Sequence, residues 1–400
     1  MVHLMKKITS IGIICGLIFT SFAISSAFNS QKYIWAYNTG NYIRSVAISR
    51  DGQYLITGGV NGIFFFNRSS STPLWSYPGC NVWEVAISND GQYLIAGCDD
   101  GTIYFFNRSS ATPLWSNKTG DSVYSVAISG DGQYIVAGSG DNNVYFFNRT
   151  NSIPLWSYNL NSLVRSVVIS NDGQYFATGT QKICLFQNNQ SSPLWSYITP
   201  LEIINDLAIS DEGLFLVAGC SDNSTYFFNR TSSNPLWSYK TGNEVFSVAI
   251  SSNGQYIAAG SSYDNLYCFS KNNSTPLWFY PMGGWYKSVA ISGDGQYIIA
   301  GGSDYNVYFF NRTNSTLIWG YQSGYSISSV AISGDGQYSA AGSGDYHIYL
   351  FEKDLKPTNG GKPGIPAYEA FLTCAVVLVI GVLTKVFKKR NLMKTLLLNS

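Results

Sequence analysis

The sequence is poor in charge and in histidine. Only 12% of its 400 residues are Asp, Glu, Lys or Arg and two are His, whereas 16% are aromatic and 39 are Gly. A chain of this composition can bury a large apolar surface and turns often, which excludes disorder and favours a β-rich fold. Residues 28–366 carry 17 basic and 22 acidic side chains, a net charge of −5. No nucleic acid is therefore expected as a partner.

Residues for catalysis and metal binding are also scarce. After residue 27, His347 is the one histidine of the sequence, and no Cys lies at the spacing from it that a metal site would require. The sequence has no GxSxG motif, and Gly360-Gly361-Lys362 is followed by Pro, which excludes a phosphate loop. We therefore predict no catalytic residue, no metal and no cofactor.

Cysteines are few and irregularly spaced. Five lie between residues 28 and 366, and an odd number at irregular intervals does not indicate a disulfide framework. Cys184 and Cys268 stand where other repeats have Phe or Tyr, which predicts small buried side chains. The five are Cys80, Cys98, Cys184, Cys220 and Cys268.

The first residues have the layout of a secretory signal. Lys6 and Lys7 precede an uncharged apolar run from Ile8 to Phe28, and Ser25-Ser26-Ala27 offers small residues for cleavage. A signal peptide over residues 1–27 is predicted, and an uncleaved membrane anchor is the alternative.

A second apolar run, Ala370 to Thr384, lies near the other end. With its flanking residues it reaches about 20 residues, enough to span a bilayer, and basic residues follow it on the side that should be cytoplasmic. We predict a linker over 353–367, a transmembrane helix over 368–387 and a cytoplasmic basic tail over 388–400. A buried core helix is the weaker alternative. Residues 28–352 would then lie on the extracellular side of a single-pass protein of the cell membrane.

One phrase recurs between these ends: VAIS, a turn, GQY, an apolar run ending in Ala-Gly, then YFFNR and PLWSY. The residue before the turn glycine recurs at intervals of 39 to 41 residues. Such a period with four short apolar segments is typical of a propeller blade, and the 3.6-residue spacing of a helical solenoid is absent. The positions are Asp51, Asp90, Asp131, Asp172, Glu212, Asn253, Asp294 and Asp335.

Each repeat contains four predicted strands, a to d. In the third repeat they are Val123–Ser129, Gln133–Gly138, Asn143–Asn148 and Pro154–Tyr158. All are rich in Val, Ile, Tyr and Phe and are bounded by turn-forming residues. The small Ala-Gly pair leaves room for a neighbouring blade, and the Trp of strand d is expected to fill the gap to the next blade as the main packing contribution.

The tryptophans also predict how the ring closes. The first one precedes the first VAIS, whereas the last YLF has no PLW after it. Lys32–Asn38 is therefore predicted to supply strand d of the final blade, giving an all-β, eight-bladed β-propeller closed by its N-terminal strand. The tryptophans are Trp35, Trp75, Trp115, Trp156, Trp195, Trp237, Trp278 and Trp319.

The repeats resemble WD-repeat propellers over residues 32–352, as in SVAISGDGQYIVAGSGDNNVYFFN at 125–148. Phe147-Asn148 replaces the Trp-Asp ending and the Gly-His before strand a is missing, which puts the buried Asp–His network of that family in doubt. The repeated PLW resembles quinoprotein (PQQ-like) repeats. PTNGGKPGIPAYEA, at 357–370, resembles the stalk of an archaeal surface protein.

Two rows of acids resemble catalytic or calcium-binding groups. Asp51 and its equivalents sit at the same place in nearly every repeat, which favours a role in the turn. The acids of the b–c turns are interpreted in the same way. These are Asp141, Asp222, Asp264, Asp304 and Asp345.

The position two before the VAIS valine varies between repeats and holds three cations and three aromatic residues. In propellers that these repeats resemble, this position surrounds the entrance of the central channel and holds partner contacts, and Arg, Trp and Tyr dominate binding hot spots. A solvated, unselected loop position is the alternative. The residues are Arg44, Trp83, Tyr124, Arg165, Asn205, Phe246, Lys287 and Ser328.

Asn-x-Ser/Thr sequons are dense, mostly in the c–d turns, and predict glycosylation of an exported chain, although the same residues also suit turns. The candidates are Asn67, Asn107, Asn148, Asn229 and Asn311; further sequons begin at Asn117, Asn189, Asn223, Asn272, Asn273 and Asn314.

Two functions remain open. The first is a cell-surface binding or scaffolding module that recognises an extracellular protein, peptide or glycan. The alternative is a quinone- or metal-dependent oxidoreductase of the quinoprotein type, which a cofactor bound to the purified protein would reveal.

Overall fold

The computed structural model describes residues 33–199, 203–281 and 284–354. These residues form 32 β-strands. Within them, no helix is both long enough and apolar enough to cross a membrane. The predicted signal peptide (1–27), membrane helix (368–387) and basic tail (388–400) lie outside the described residues, as does the linker (353–367) beyond its first two positions.

The strands form eight four-stranded antiparallel sheets, the blades, each running from strand a at the channel to strand d at the rim. Blades 1 and 2 contain β2 (Ile43–Ile48), β3 (Tyr54–Gly59), β4 (Gly62–Asn67), β5 (Trp75–Tyr77), β6 (Val82–Ile87), β7 (Tyr93–Cys98), β8 (Thr102–Asn107) and β9 (Trp115–Lys118). Blades 3 and 4 contain β10 (Val123–Ile128), β11 (Tyr134–Ser139), β12 (Asn143–Asn148), β13 (Trp156–Asn159), β14 (Ser166–Ile169), β15 (Tyr175–Gly179), β16 (Lys182–Gln187) and β17 (Trp195–Ile198). Blades 5 and 6 contain β18 (Ile204–Ile209), β19 (Phe215–Cys220), β20 (Ser224–Asn229), β21 (Trp237–Lys240), β22 (Val245–Ile250), β23 (Tyr256–Ser261), β24 (Asn265–Ser270) and β25 (Trp278–Pro281). Blades 7 and 8 contain β26 (Tyr286–Ile291), β27 (Tyr297–Gly302), β28 (Asn306–Asn311), β29 (Leu317–Gln322), β30 (Ile327–Ile332), β31 (Tyr338–Ser343), β32 (His347–Glu352) and, from the start of the chain, β1 (Trp35–Asn38).

The first and last strands of the propeller pair with each other. β1 is antiparallel to β32, with Trp35 opposite Leu350 and Asn38 opposite His347. This pairing completes blade 8 and leaves no blade with a missing strand d. The predicted all-β, eight-bladed propeller closed by its N-terminal strand is confirmed, with strand ends shifted by one or two residues in the third blade.

The acids of the a–b turns shape the backbone. The Asp51 carboxylate accepts hydrogen bonds from the Ser49 hydroxyl (2.6 Å) and the Gln53 amide (2.9 Å). Gly52, between them, has a φ of +68°, which a side chain would strain. The same pair of bonds recurs at Asp90, Asp131, Asp172, Asn253, Asp294 and Asp335.

The acids of the b–c turns bind tyrosines of strand c. Asp141 accepts a bond from the Tyr145 hydroxyl (2.6 Å) and another from the Gly120 amide (2.7 Å) in the preceding d–a connection. An Asp–Tyr pair of this kind therefore holds the b–c turn against strand c. Equivalent pairs are Tyr226–Asp222, Tyr267–Asp264, Tyr308–Asp304 and Tyr349–Asp345.

Adjacent blades pack through strand b and strand c. A Cβ on Gly138 would lie 2.6 Å from a methyl of Val164 in the next blade, so only glycine permits this approach. Phe146 and Phe147 are successive residues that face opposite sides of blade 3, and both are fully buried. Cys184 and Cys268 are buried in strand c, as predicted.

The strand d tryptophans fill the gap to the next blade, as predicted: each ring contacts a strand c phenylalanine of that blade, with 5.1–5.9 Å between ring centroids. Most are half-buried, so the phenylalanine pairs of strand c, and not the indoles, are the most completely buried contacts. Trp75 donates its indole N–H to the carbonyl of Arg108 in the next blade (2.9 Å), and that guanidinium lies 4.8 Å over the ring of Tyr54. Trp319 differs: it is buried, and its N–H has no partner among the described residues.

Removal of Tyr33–Asn38 from the full-length chain is expected to expose β32 as an open edge and cause aggregation, because strand edges pair with other chains. Size-exclusion chromatography measures this. Trp35→Phe is the control: it keeps β1 but loses the indole bond to the Arg68 carbonyl (2.7 Å) and part of the ring that contacts Phe66, so it should elute like the unaltered protein and lose about 1–3 kcal/mol of stability. A monomeric, cooperatively unfolding deletion variant would contradict the closure.

Candidate partner-binding site at the channel mouth

Strand a begins with a β-bulge in seven of the eight blades. In blade 1 the pairing with β3 shifts between Ile43 and Ser45, so Arg44 has no partner residue across the sheet. A bulge re-aims side chains and recurs next to binding sites. In blade 4, Arg165 directly precedes β14 and donates its amide to the Gly179 carbonyl (3.1 Å).

The seven predicted partner-binding residues and Ser328, which holds the same position in blade 8, lie at one end of the central channel. They line a common cavity of about 220 Å³. We call these residues the mouth ring: Arg44, Trp83, Tyr124, Arg165, Asn205, Phe246, Lys287 and Ser328.

One side of the mouth ring is a continuous stack across blades 1 to 3. The Arg44 guanidinium lies 4.0 Å over the Trp83 ring, and Trp83 contacts Tyr124 at 5.4 Å between ring centroids. The indole N–H of Trp83 donates to Asp99 (2.8 Å). One terminal nitrogen of Arg44 is buried and has no hydrogen-bond partner among the described residues.

The other side of the mouth ring is less uniform. Phe246 stacks on Trp285 with an interplanar angle of 11°, and Lys287 reaches the Ser326 hydroxyl (3.3 Å). Asn205 and Ser328 instead donate to backbone carbonyls of adjacent strands. Two of the eight residues are therefore engaged in holding blades together.

A second ring, one residue further into the channel, joins neighbouring blades. Each side chain accepts a hydrogen bond of 2.8–3.2 Å from one backbone amide in strand a of the next blade. These bonds join all eight blades, including blade 8 to blade 1. We call this second ring the acceptor ring. Its members are Ser45, Glu84, Ser125, Ser166, Asp206, Ser247, Ser288 and Ser329.

Two acids interrupt the serines of the acceptor ring. Glu84 accepts from the Val126 amide (2.8 Å), and Asp206 accepts from the Val248 amide (2.9 Å) and the Ser247 hydroxyl (3.0 Å). Desolvation outweighs these bonds and raises the pKa of Glu84 to about 7 and that of Asp206 to about 6. Perturbed acids in a concave site are functional candidates. Sequence reasoning missed them, although both stand where six repeats have Ser.

The channel has an apolar wall and a polar far end. Val, Ala and Ile of the eight a strands line most of its length. At the far end, Arg50 reaches across to Asp211 of the opposite blade (2.7 Å) and to Ser252 (3.0 Å), while Asn89 bonds Asn171 (2.7 Å). These side chains occupy that end of the channel with bonds to one another, whereas Arg44 of the mouth ring has a terminal nitrogen without a partner among the described residues.

Other candidate chemistry lies apart from the mouth ring. His347 begins β32, with its Nδ1 3.4 Å from Asp345. Among the described residues, no three His, Cys, Asp or Glu side chains converge as metal ligands.

The five glycosylation candidates are each the last residue of a strand c, directly before the c–d turn in which they were predicted, and all share one geometry. The Asn67 side-chain oxygen accepts the Ser69 hydroxyl at 2.8 Å. The same bond, at 2.8–3.0 Å, joins the sequon Ser or Thr to Asn107, Asn148, Asn229 and Asn311. The asparagines are partly exposed.

Glu84 should make stability depend on pH. Because its folded-state pKa of about 7 lies above the ordinary 4.5, the folded protein keeps a proton that the unfolded chain loses, and stability falls as pH rises from 4.5 to 7. Glu84→Ser, which installs the residue of six other blades, is expected to raise the free energy of unfolding at pH 8 by about 1–3 kcal/mol and to change it little at pH 4.5.

Urea unfolding of the full-length protein at the two pH values measures this effect. Ser288→Ala is the control, since it removes an acceptor-ring side chain at least two blades away from Glu84 and Asp206 and should lower stability equally at both. An equal effect of Glu84→Ser at pH 4.5 and pH 8 would contradict the assignment.

Comparison with known proteins agrees with this architecture. The WD domain, G-beta repeat family matches residues 31–65, 71–107, 112–148, 233–269 and 315–352. Chaetomium thermophilum Sqt1, solved bound to the N-terminus of the ribosomal protein L10, is similar with a TM-score of 0.71 and 16% identity, covering 80% of this chain and 100% of that chain. The C-terminal WD40 domain of Sif2 is similar with a TM-score of 0.71 and 18% identity, covering 81% and 99%. At these identities the likeness shows the fold alone. The chain is therefore an eight-bladed β-propeller, five segments of which match the WD40 repeat.

Proposed function

We propose that this protein is an interaction module whose mouth ring binds a protein or peptide partner, with a glycan as a further candidate ligand. The observation that carries the proposal is where variation between blades occurs. Residues shared by all blades build turns and blade contacts, whereas the cations and aromatic side chains that differ between blades gather around one cavity. Such residues dominate binding hot spots.

The mouth ring fits an elongated ligand with acidic groups. Arg44, Arg165 and Lys287 belong to blades 1, 4 and 7, so positive charge surrounds the cavity. Trp83 and Tyr124 supply rigid aromatic surface between two of these cations. A carboxylate accepts paired hydrogen bonds from a guanidinium, and a chain terminus or acidic side chain can enter a narrow cavity. Sqt1, which shares the fold, was solved with the N-terminus of a ribosomal protein, and this supports a chain segment as the ligand.

Two acids beneath the mouth ring, Glu84 and Asp206, should make the affinity for an acidic ligand depend on pH. Below pH 6, Glu84 and Asp206 hold protons and the three cations are unopposed. Above pH 7 both acids are ionised and cancel two of the three charges. An anionic partner should therefore bind more tightly in mildly acidic solution.

We also propose that the propeller lies outside the cell on a single C-terminal membrane helix. The support is in the sequence: a secretory layout at 1–27, an apolar run followed by basic residues after 370, and sequons concentrated on the rim. The quinoprotein-type oxidoreductase remains the alternative function; a visible absorption band or bound metal in the purified full-length protein would favour it.

Partner capture tests the mouth ring. Immobilised full-length protein is incubated with proteins, peptides and glycans released from the surface of the source cell, and the retained ligand is titrated against variants. Arg44→Ala, Trp83→Ala and Arg165→Ala should each weaken binding at least about 30-fold, the loss typical of a hot-spot side chain. Leu155→Ser is the control, because this leucine is 56% exposed at the rim, far from the mouth ring.

Binding should also be tighter at pH 5.5 than at pH 8, and the double variant Glu84→Gln, Asp206→Asn should abolish that difference. Unchanged binding by all three alanine variants, with unfolding midpoints like that of the unaltered protein, would exclude the mouth ring as the binding site.

Sequon occupancy tests the extracellular placement. In cells that glycosylate exported proteins, Asn148→Gln and Thr150→Ala should each remove one glycan from the full-length chain, detected as loss of the same glycopeptide by mass spectrometry. Thr150→Ser is the control, since it keeps the hydroxyl that bonds Asn148 (3.0 Å) and should keep the glycan. Unmodified asparagine at all five rim sequons in the source organism would count against this placement.

A further inference from the structure

Two cysteines that the sequence left unconnected meet in blade 2. Cys80 lies in the d–a connection before β6, and Cys98 is the last residue of β7. Both are buried in one apolar cluster, with Cys80 6% and Cys98 0% exposed. The Cys98 thiol is in hydrogen-bonding contact with Cys80. Both are free thiols in this structure.

Equivalent positions in other blades show what this contact normally does. Asp99 donates its amide to the Asn81 carbonyl (2.8 Å), as Gly140 does to Ser122 in blade 3, so the two connections superpose in register. Cys98 then corresponds to Ser139, and Cys80 corresponds to Asp121.

In those blades a hydroxyl holds the connection. Ser139 donates to the Asp121 carbonyl (3.0 Å), and Thr119 donates to the same carbonyl (2.7 Å). Blades 6 and 8 repeat both bonds with other residues: Ser261 and Thr241 to the Asn243 carbonyl, and Ser343 and Ser323 to the Tyr325 carbonyl.

Blade 2 lacks both hydroxyls. Its connection is Pro78-Gly79-Cys80-Asn81, with no Ser or Thr, and Cys98 stands in the position of the serine. The two hydrogen bonds that hold the d–a connection elsewhere are thus missing where two thiols are in contact. Gly79 has a φ of +103° and open space around its Cα, so the backbone next to Cys80 can adjust to a shorter sulfur–sulfur distance.

We infer that Cys80 and Cys98 form a disulfide bond that holds the d–a connection of blade 2 in place of the hydroxyl hydrogen bonds. The inference rests on the proposed extracellular placement, because disulfides persist in oxidising compartments. It goes beyond the sequence, in which an odd number of irregularly spaced cysteines did not indicate a disulfide framework.

The reaction balances with a disulfide oxidant, such as oxidised glutathione or an exported thiol–disulfide oxidoreductase. One cysteine thiolate attacks the oxidant's sulfur–sulfur bond and releases one oxidant thiol. The second cysteine then displaces the other, so the protein loses two electrons and two protons and the oxidant gains them. Burial and the contact with Cys80 raise the pKa of the Cys98 thiol, so the reactive thiolate is rare in the folded protein and the bond should form during folding.

Thiol labelling of the full-length protein from source-cell membranes tests the pairing. Thiols are alkylated in denaturant before any reduction, and tryptic peptides are weighed. Both cysteines fall in the single peptide Ser69–Arg108, which should be unlabelled and lighter by two hydrogens than its reduced form. Peptides with Cys184 and Cys268 should be labelled and serve as internal controls.

Refolding in vitro distinguishes two reasons why the bond could be absent from cells: the two cysteines do not pair, or the protein does not lie in an oxidising compartment. The reduced, denatured full-length chain is refolded with oxidised glutathione as the probe. An unlabelled Ser69–Arg108 peptide in both experiments supports the inference. The bond in the refolded chain alone would uphold the pairing and overturn the extracellular placement. Labelled Cys80 and Cys98 in both experiments would overturn the disulfide whatever the compartment.

Thermal unfolding gives a second measurement. Adding reductant should lower the unfolding temperature of the oxidised protein by about 2–6 °C. Cys98→Ser, which restores the serine of blades 3, 6 and 8, should fold and should be insensitive to reductant. Equal sensitivity of this variant would show that the bond is not between Cys80 and Cys98.

Discussion

Each blade has apolar side chains on both faces, and neither face can be left in water. Successive residues of strand c, such as Phe146 and Phe147, point to opposite sides of their sheet and are both fully buried. A single blade, or an open row of them, would expose at least one such face. The ring is the arrangement in which every face is covered, so pairing of β1 with β32 is the condition for the whole fold.

The same condition explains the bonds between blades. The glycine of strand b lets the next blade approach closely, and indole N–H groups reach carbonyls across the outer gap. Near the channel, the acceptor ring takes up amide groups that strand a would otherwise leave without partners. Nearly every residue that is constant between repeats therefore contributes to a strand, a turn or a contact between blades. Freedom to vary remains at the mouth ring, although Asn205 and Ser328 of that ring also hold neighbouring blades together.

Glu84 and Asp206 are less favourable for the stability of the fold than the serines at the equivalent positions. Serine accepts the same backbone bond with no desolvated charge, and six blades use it. Two acids in this ring cost stability at neutral pH and gain nothing for packing, which fits a role at the mouth above them. Blade 2 contains one of these acids and also the Cys80–Cys98 contact, so it departs furthest from the common repeat. A covalent bond there would hold the connection next to Trp83 in the mouth ring.

The sequence by itself determined the number of blades, the strand order and the closure, because these follow from a fixed period and from Trp35 standing ahead of the first repeat. It also placed the mouth ring, since one position per repeat identifies a common location. Only the tertiary structure decided which residues from different repeats meet. Cys80 and Cys98 fall at different positions of the repeat, and Arg50 finds Asp211 across the ring. Glu84 acquires its raised pKa from enclosure by other blades. Such properties depend on distances between chain segments, which the repeat period does not specify. The spacing of the repeats therefore predicted the blades and their order, but not the side-chain contacts and the raised pKa.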